Sequence, residues 1–146
     1  MKKKALISSC LLGVDCRYDG KNNRLSEDTL RRLNEEYELI PVCAEVYGGL
    51  TTPRIPSERV GDKVLSKEGA DVTAQFQKGA GAVLYIAQTL GAELAILKEN
   101  SPSCGSGTVY DGTFSGRLVP GDGVTAELLK AHGICVIGEG AFGIAN

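Results

Sequence analysis

The chain has 146 residues and a formal net charge of −2, with 16 Lys and Arg against 18 Asp and Glu. This length predicts one domain, 1–146, large enough to bury a hydrophobic core. The charge balance lacks the basic excess of polynucleotide-binding proteins, and the absence of Trp disfavours stacking surfaces for single strands. We therefore expect a small-molecule ligand and no polymeric nucleic acid as partner.

Targeting patterns and cysteine usage predict the compartment. No apolar run reaches the roughly 20 residues that span a bilayer, and the N-terminus lacks the pattern of a signal peptide. We therefore expect a cytoplasmic protein with no membrane partner. The five cysteines are an odd number, which argues against a disulfide framework. Each cysteine is then a ligand, a nucleophile or a small buried hydrophobe.

The first half of the chain predicts two strands separated by a helix. A strand at 5–9 is followed by a turn-rich segment and by a helix with Ser26 as its N-cap. A second strand at 38–42 ends at Cys43. Beyond it, the Gly and Pro residues of 47–58 predict a long irregular segment, which in a compact domain is usually functional.

The second half continues the alternation of strands and helices. Apolar residues recur every three or four positions over 71–90 and predict a helix that Gly91 stops. Four further elements follow: a strand at 93–98, a hairpin at 108–119 turning at Asp111-Gly112, a helix at 124–132 and a buried strand at 134–137. This order predicts an α/β fold, a small Rossmann-like, mainly parallel sheet of about four strands flanked by helices, with a hairpin insertion.

Three cysteines, Cys10, Cys43 and Cys104, lie just past predicted strands. Because the carboxyl ends of parallel strands meet at one edge of a sheet, the three thiols are expected to share a site. Three soft ligands suggest a metal or an iron–sulfur cluster with one open position. Structural zinc usually takes four Cys or His ligands in close pairs, and no such pair is present, so a catalytic centre is favoured.

Other candidate residues have plainer interpretations. Cys135 lies in the apolar run 134–137, which predicts a core position. Cys16 lies in a polar loop, where a surface or partly buried position is favoured, with a place in the same site as the alternative. The polar cluster Arg17, Tyr18 and Asp19 is expected to build a turn, with a role at the pocket mouth as the alternative. The pattern G-x-G-x-x-G is missing after the first strand, which disfavours a nicotinamide enzyme.

Four motifs in a fixed order carry the most specific information. They are Ser9-Cys10-Leu11-Leu12-Gly13, Cys16-Arg17-Tyr18-Asp19-Gly20, Pro41-Val42-Cys43-Ala44-Glu45 and Lys98-Glu99-Asn100-Ser101-Pro102-Ser103-Cys104-Gly105. Together they resemble the 2-thiouracil desulfurase family. The resemblance runs across nearly the whole chain, from Ala5 to the Gly-rich C-terminus.

The resemblance implies an iron–sulfur-dependent, non-redox desulfuration of a thiolated nucleobase, 2-thiouracil to uracil plus hydrogen sulfide. It implies a [4Fe-4S] cluster with Cys10, Cys43 and Cys104 as ligands, and an open iron that binds the substrate sulfur. It also implies that Glu45 is an acid/base carboxylate and that Ser101 supplies a substrate-side hydroxyl. A carboxylate close to the cluster can take a proton from attacking water and return it to the leaving group.

The residues alone leave alternatives open. Without the motif, Glu45 is a solvated loop carboxylate and Ser101 caps the loop before Pro102. A cluster-free thiol or persulfide enzyme, with Cys104 or Cys16 as nucleophile, is one other function, and a cluster-bearing sensor of small ligands is another. Free base, nucleoside and thiolated RNA are all open as substrates, as is the oligomeric state.

Overall fold

The structure is a computed structural model that describes residues 2–142. In chain order its strands are β1 (Lys3–Ser8), β2 (Tyr37–Val42), β3 (Ser57–Val60), β4 (Lys63–Ser66), β5 (Leu94–Leu97), β6 (Thr108–Tyr110), β7 (Leu118–Pro120) and β8 (Cys135–Gly138). Its α-helices are α1 (Glu27–Glu36), α2 (Ala44–Tyr47), α3 (Thr73–Leu90) and α4 (Val124–Ala131). Short 3₁₀ turns at Ser9–Leu12 and Glu139–Phe142 follow β1 and β8.

The central sheet has four strands in the order β2-β1-β5-β8, all parallel. Successive side chains on a strand point to opposite faces, and helices cover both. Leu6 packs with Val83 of α3 and Leu129 of α4 on one face. Ile7 packs with Leu33 of α1 on the other. The predicted α/β fold, a small Rossmann-like parallel sheet between helices, is confirmed.

The predicted helix boundaries have identifiable local causes. Ser26 caps α1, since its Oγ accepts a hydrogen bond from the Thr29 amide at 3.2 Å. Gly91 ends α3 in the left-handed region at φ +77°. No helix in the described residues is long and apolar enough to cross a membrane.

Helices α2 and α3 touch backbone to backbone. A Cβ added at Gly79 would lie 1.9 Å from the carbonyl oxygen of Ala44, and one at Gly48 would lie 1.9 Å from that of Gln75. The element that approaches Gly79 is therefore α2. This contact fixes the short helix that follows Cys43, and therefore the position of Glu45.

The segment 47–58 is irregular over 48–56, as predicted, but regular elements overlap both of its ends. Helix α2 ends at Tyr47, and β3 starts at Ser57 and pairs with β4 in an antiparallel hairpin. The two-residue turn Gly61-Asp62 is a hairpin signal, but the strands are four residues each and carry several charges, so their alternation is weak. The hairpin predicted at 108–119 is present as β6 and β7, with 111–117 as its loop.

The core position predicted for Cys135 is wrong, because its side chain is exposed. Strand β8 lies at the edge of the sheet, and its residues alternate: Val136 faces the core and Cys135 the other side. Helix α1 packs against β2, at the opposite edge, so the first residue of β8 is left open to solvent. An apolar run at an edge strand therefore does not bury all of its side chains.

Candidate functional site

A cavity of about 540 Å³ lies at the carboxyl edge of the sheet. Many of its lining residues belong to one of two groups. The first, called here the cysteine wall, comes from the ends of the central strands and the loops after them: Cys10, Cys16, Cys43, Glu45, Ser101 and Cys104. The second, the hairpin wall, comes from β3 and from β6 with its loop: Pro56, Ser57, Glu58, Tyr110, Phe114 and Gly116.

The structure brings the three candidate ligands to this one cavity from separate elements. Cys10 lies in the 3₁₀ turn after β1, which Gly13 ends at φ +101°. Cys43 is the N-cap residue of α2 in extended backbone. Cys104 lies in the loop after β5, where burial raises the pKa of its thiol to about 12. Their convergence agrees with the placement predicted from the strand ends, and their role as ligands stays a prediction.

Ser101 holds the loop that carries Cys104. Its Oγ accepts hydrogen bonds from the amides of Ser103 and Cys104, both at 3.1 Å. The loop is then attached to α4 by the buried pair Ser103 Oγ and Thr125 Oγ1, 2.7 Å apart. Ser101 therefore caps the loop, as the interpretation without the motif predicted. Ser101 also lines the cavity, so capping and a substrate-side role are compatible.

The expectation of a surface or partly buried Cys16 is wrong. Its side chain is buried, with 8% exposed, and its thiol lies within hydrogen-bonding range of both Cys10 and Cys43. The hydrogen bond with Cys10 is the main cause that raises the pKa of Cys16 above its usual range. The hydrogen bond with Cys16 lowers the pKa of Cys10, and that of Cys43 to about 6. Cys16 is therefore a buried neighbour of two of the candidate ligands.

Glu45 is held by an arginine that sequence reasoning missed. Arg54 Nε donates to Glu45 Oε2 at 2.8 Å, and only 9% of the Arg54 side chain and 18% of that of Glu45 are exposed. Arg54 Nη2 also donates to the carbonyl oxygen of Cys16 at 2.9 Å. Glu45 is therefore not a solvated loop carboxylate. The only signal for Arg54 was its place in a segment with Pro53 and Pro56, expected to be functional.

The polar cluster after Cys16 does both things that were considered for it. Asp19 builds the turn by accepting from the Lys21 amide at 3.1 Å and from Arg17 Nε at 2.8 Å. The hydrogen bond from Arg17 lowers the pKa of Asp19 to about 2. Arg17 and Tyr18 also line the cavity, and Arg17 Nη1 donates to Asn23 Oδ1 at 3.0 Å. The turn therefore places the Arg17 guanidinium, held by Asp19 and Asn23, in the lining of the cavity.

Aromatic side chains were not predicted at the site. The chain has only five Tyr and three Phe. Tyr18, Tyr110 and Phe114 nevertheless line this one cavity. Low aromatic content argued against extended stacking surfaces for nucleic acids, but it does not exclude a small site that collects the few aromatic rings present. No sequence signal placed Phe114 there, because it lies within a hairpin loop.

The donor set of the cysteine wall suits a cluster better than a single ion. Within residues 2–142, no three His, Cys, Asp or Glu side chains are grouped to hold one metal ion. An iron–sulfur cluster binds each thiolate at a different iron, so its ligands surround a volume rather than a point. Thiolates are the ligands that such clusters take, and the cysteine wall provides them from three separate elements.

A family model described as 2-thiouracil desulfurase matches residues 5–141. The chain belongs to this family. A relative from Bacillus subtilis (strain 168), YbbK, is 44% identical over 144 residues, which cover 92% of this chain and 94% of that protein. The solved structure of the [4Fe-4S]-dependent thiouracil desulfidase TudS (DUF523Vcz) is 46% identical, with a TM-score of 0.90. The match covers 94% of this chain and 91% of that one.

Membership of the 2-thiouracil desulfurase family confirms the resemblance drawn from the four motifs. All four lie within the matched residues, and three of them supply the candidate ligands. The structural likeness covers nearly all of the chain. The cavity that holds the three cysteines is therefore the candidate active site.

Proposed function

We propose that this desulfurase family member converts 2-thiouracil to uracil and hydrogen sulfide by a non-redox, iron–sulfur-dependent route. The observation that carries the proposal is a cavity in which Cys10, Cys43 and Cys104 meet beside a carboxylate fixed by an arginine. The family match and the likeness to a solved [4Fe-4S]-dependent thiouracil desulfidase support it.

We assign Cys10, Cys43 and Cys104 as the residues that hold a [4Fe-4S] cluster. When bound there, such a cluster supplies an iron without a protein ligand, which acts as a Lewis acid towards the soft thiocarbonyl sulfur of the substrate. Cys16 lies within hydrogen-bonding range of two of these three residues, so we assign its S–H group the role of a donor to the sulfur atom of one of them.

Glu45 is the proposed acid and base. Arg54 holds its Oε2, which leaves Oε1 to take a proton from the attacking water and to return it to the leaving group. The Arg54 guanidinium is itself held by the Cys16 carbonyl, so the carboxylate has a fixed orientation. A fixed orientation of this kind raises the reaction rate, because the entropy cost of aligning the reacting groups is already met.

Ser101 is the proposed hydrogen-bond donor to the substrate. Its Oγ already accepts two backbone N–H groups, so the hydroxyl proton is the part of the side chain left to point at a ligand. The carbonyl oxygen of the base can accept it. The substrate would then be oriented at one end by Ser101 and at the other by its sulfur.

We further propose a single domain over 1–146, a cytoplasmic location and a small thiolated base rather than polymeric nucleic acid as substrate. A reducing compartment keeps the thiols available for a cluster. The alternative of a cluster-free thiol enzyme lacks support from histidine, since the single His132 is exposed at the C-cap of α4 and its Nδ1 lies 3.0 Å from the Leu128 carbonyl oxygen.

The test is anaerobic purification and reconstitution, followed by iron and sulfide analysis and by chromatographic measurement of uracil formed from 2-thiouracil. We expect about four irons and four sulfides per chain and catalytic turnover that requires them. Turnover by the iron-free protein would support the thiol enzyme. A full cluster without turnover would support the small-ligand sensor.

A further inference from the structure

The hairpin wall is held together by one buried carboxylate. Glu58 lies on β3, and its Oε1 accepts hydrogen bonds from the amides of Gly112 and Phe114, at 2.9 and 3.1 Å. A buried carboxylate is costly unless it is hydrogen-bonded, and here both of these partners belong to the loop of the other hairpin. Glu58 therefore fixes the loop 111–117 against β3.

The loop has a backbone conformation that needs such support. Phe114 has φ +57°, in the left-handed region, which is uncommon for a bulky residue. Gly112 packs so closely on β3 that a Cβ there would lie 2.5 Å from Val60 Cγ2. Strained residues of this kind persist where the surroundings determine them, and they concentrate at ligand sites. The strain here accompanies placement of Phe114 in the lining of the cavity.

The charged groups of the cavity favour a neutral ligand on this wall. Three cations that line it already have carboxylate partners: Arg17 with Asp19, Arg54 with Glu45, and Lys98 with Glu139. Among the described cations that line the cavity, only Lys67, which is exposed, has no ion-pair partner. A phosphate would meet little uncompensated positive charge, whereas a neutral planar ring needs only an aromatic face.

We infer that Phe114, together with Tyr110, is the surface on which the neutral heteroaromatic ring of the substrate stacks, and that Glu58 is the positioning residue that holds Phe114 there. The inference rests on the proposed function and deepens it by naming the groups that bind the base. Aromatic side chains bind nucleobases by stacking without reading their edges, so the polar groups of the cysteine wall stay available for orientation.

A tryptophan probe tests the contact directly, because the chain has no Trp of its own. In reconstituted Phe114→Trp protein, we expect uracil and 2-thiouracil to quench the Trp fluorescence in a saturable way. The control is Tyr85→Trp, on α3, since Tyr85 is 70% exposed and does not line the cavity. Quenching of both probes to the same extent, or of neither, would overturn the stacking assignment.

Kinetics of four variants test stacking and positioning separately. Loss of one base–aromatic stack predicts that Phe114→Leu raises KM for 2-thiouracil by roughly 5- to 100-fold, while Phe114→Tyr keeps it near the wild-type value. Glu58→Ala should raise KM in the same way. Glu58→Gln keeps a carbonyl oxygen at the position of Oε1 and should restore it, with iron content equal in all four proteins.

The outcomes separate this inference from the proposed function. If wild-type protein binds uracil but does not turn over 2-thiouracil, the proposed function fails, and the probe still reports on stacking. If wild-type protein turns over and Phe114→Leu has an unchanged KM, the stacking role is wrong. If Phe114→Leu is impaired and Glu58→Ala is not, or if Glu58→Gln is as impaired as Glu58→Ala, positioning by hydrogen bonds from Glu58 is wrong.

Discussion

The two walls of the cavity are built in different ways. The cysteine wall stands on the ends of a parallel sheet and on α2, whose backbone touches that of α3 with no room for a Cβ at Gly48 or Gly79. The hairpin wall stands on two two-stranded hairpins, and its loop is attached to β3 through Glu58. One wall is set by the core of the fold and the other by a few polar contacts.

The two walls are therefore expected to have different functions. A cluster and an acid/base group need fixed positions, because small displacements of catalytic groups cost large factors in rate. A wall that receives a planar ring needs only an aromatic face at the right distance, and hairpin loops are tolerant of sequence change. We therefore expect substitutions in the cysteine wall to affect cluster and turnover, and substitutions in the hairpin wall to affect substrate affinity.

The largest effect is expected from the three proposed ligands. Replacement of Cys10, Cys43 or Cys104 by Ser should each abolish stable cluster binding, because three thiolates leave no redundancy. The measurement is iron and sulfide content after anaerobic reconstitution. Cys135→Ser is the matched control, since Cys135 is exposed on β8, and it should leave both contents unchanged. A full, stable cluster in Cys104→Ser protein would show that the three-cysteine assignment is wrong.

The next largest effect is expected at Glu45, and it concerns the rate of catalysis rather than the assembly of the cluster. Glu45→Gln keeps an oxygen that can accept from Arg54 Nε but cannot exchange a proton, so turnover should fall by roughly 10²- to 10⁴-fold with normal iron content. Glu45→Ala is a poorer probe, because it leaves the largely buried Arg54 without its partner, a change that typically costs about 3–5 kcal/mol of stability.

Single-turnover conversion of 2-thiouracil to uracil distinguishes the possible roles of Glu45. A rate near that of wild type in Glu45→Gln protein would mean that the carboxylate only positions the substrate. Loss of the cluster from the same protein would mean that the ion pair with Arg54 is structural. KM should change little, since the hairpin wall is untouched by the substitution.

A pair of glycines in α3 tests how rigidly the cysteine wall is built. Gly79→Ala places a methyl group against the Ala44 carbonyl and should destabilise the protein by about 1–3 kcal/mol or more. Gly81 has nothing within 4 Å of an added Cβ, so Gly81→Ala should stabilise α3 by up to about 1 kcal/mol. Urea denaturation followed by circular dichroism measures both. Equal stability of the two variants would show that α2 can move away from Gly79 at little cost in free energy of unfolding.

The sequence predicted the sheet and the place of the three thiols because both follow from local patterns. Apolar strands alternating with helices specify a parallel sheet, and Cys10 and Cys43 lie within two residues of strand ends, so topology alone brings them to one edge. The hairpin β3–β4 was missed because its strands are short and charged. Cys135 was misplaced because periodicity does not tell an edge strand from a central one.

Other features depend on contacts between segments that have no pattern of their own. Arg54 reaches Glu45 and the Cys16 carbonyl from a segment with little regular structure, and Phe114 reaches the cavity only because Glu58 holds its loop. Such contacts are set by tertiary packing, and no periodicity or spacing in the sequence encodes them. These contacts place a carboxylate and an aromatic ring in the cavity. Without them, the edge of the sheet would carry only the three thiols.

The smallest effect is expected at Cys16, whose thiol lies within hydrogen-bonding range of Cys10 and Cys43 without being one of the proposed ligands. Groups that donate to metal ligands typically contribute 10- to 100-fold in metal affinity or activity. Cys16→Ala should therefore assemble a cluster of normal stoichiometry that is lost roughly 10-fold faster to an iron chelator. Cys16→Ser keeps a donor and should lie between Cys16→Ala and wild type. If Cys16→Ala lost iron as completely as Cys10→Ser, Cys16 would itself be a ligand, and the cysteine wall would hold its cluster with four thiolates rather than three.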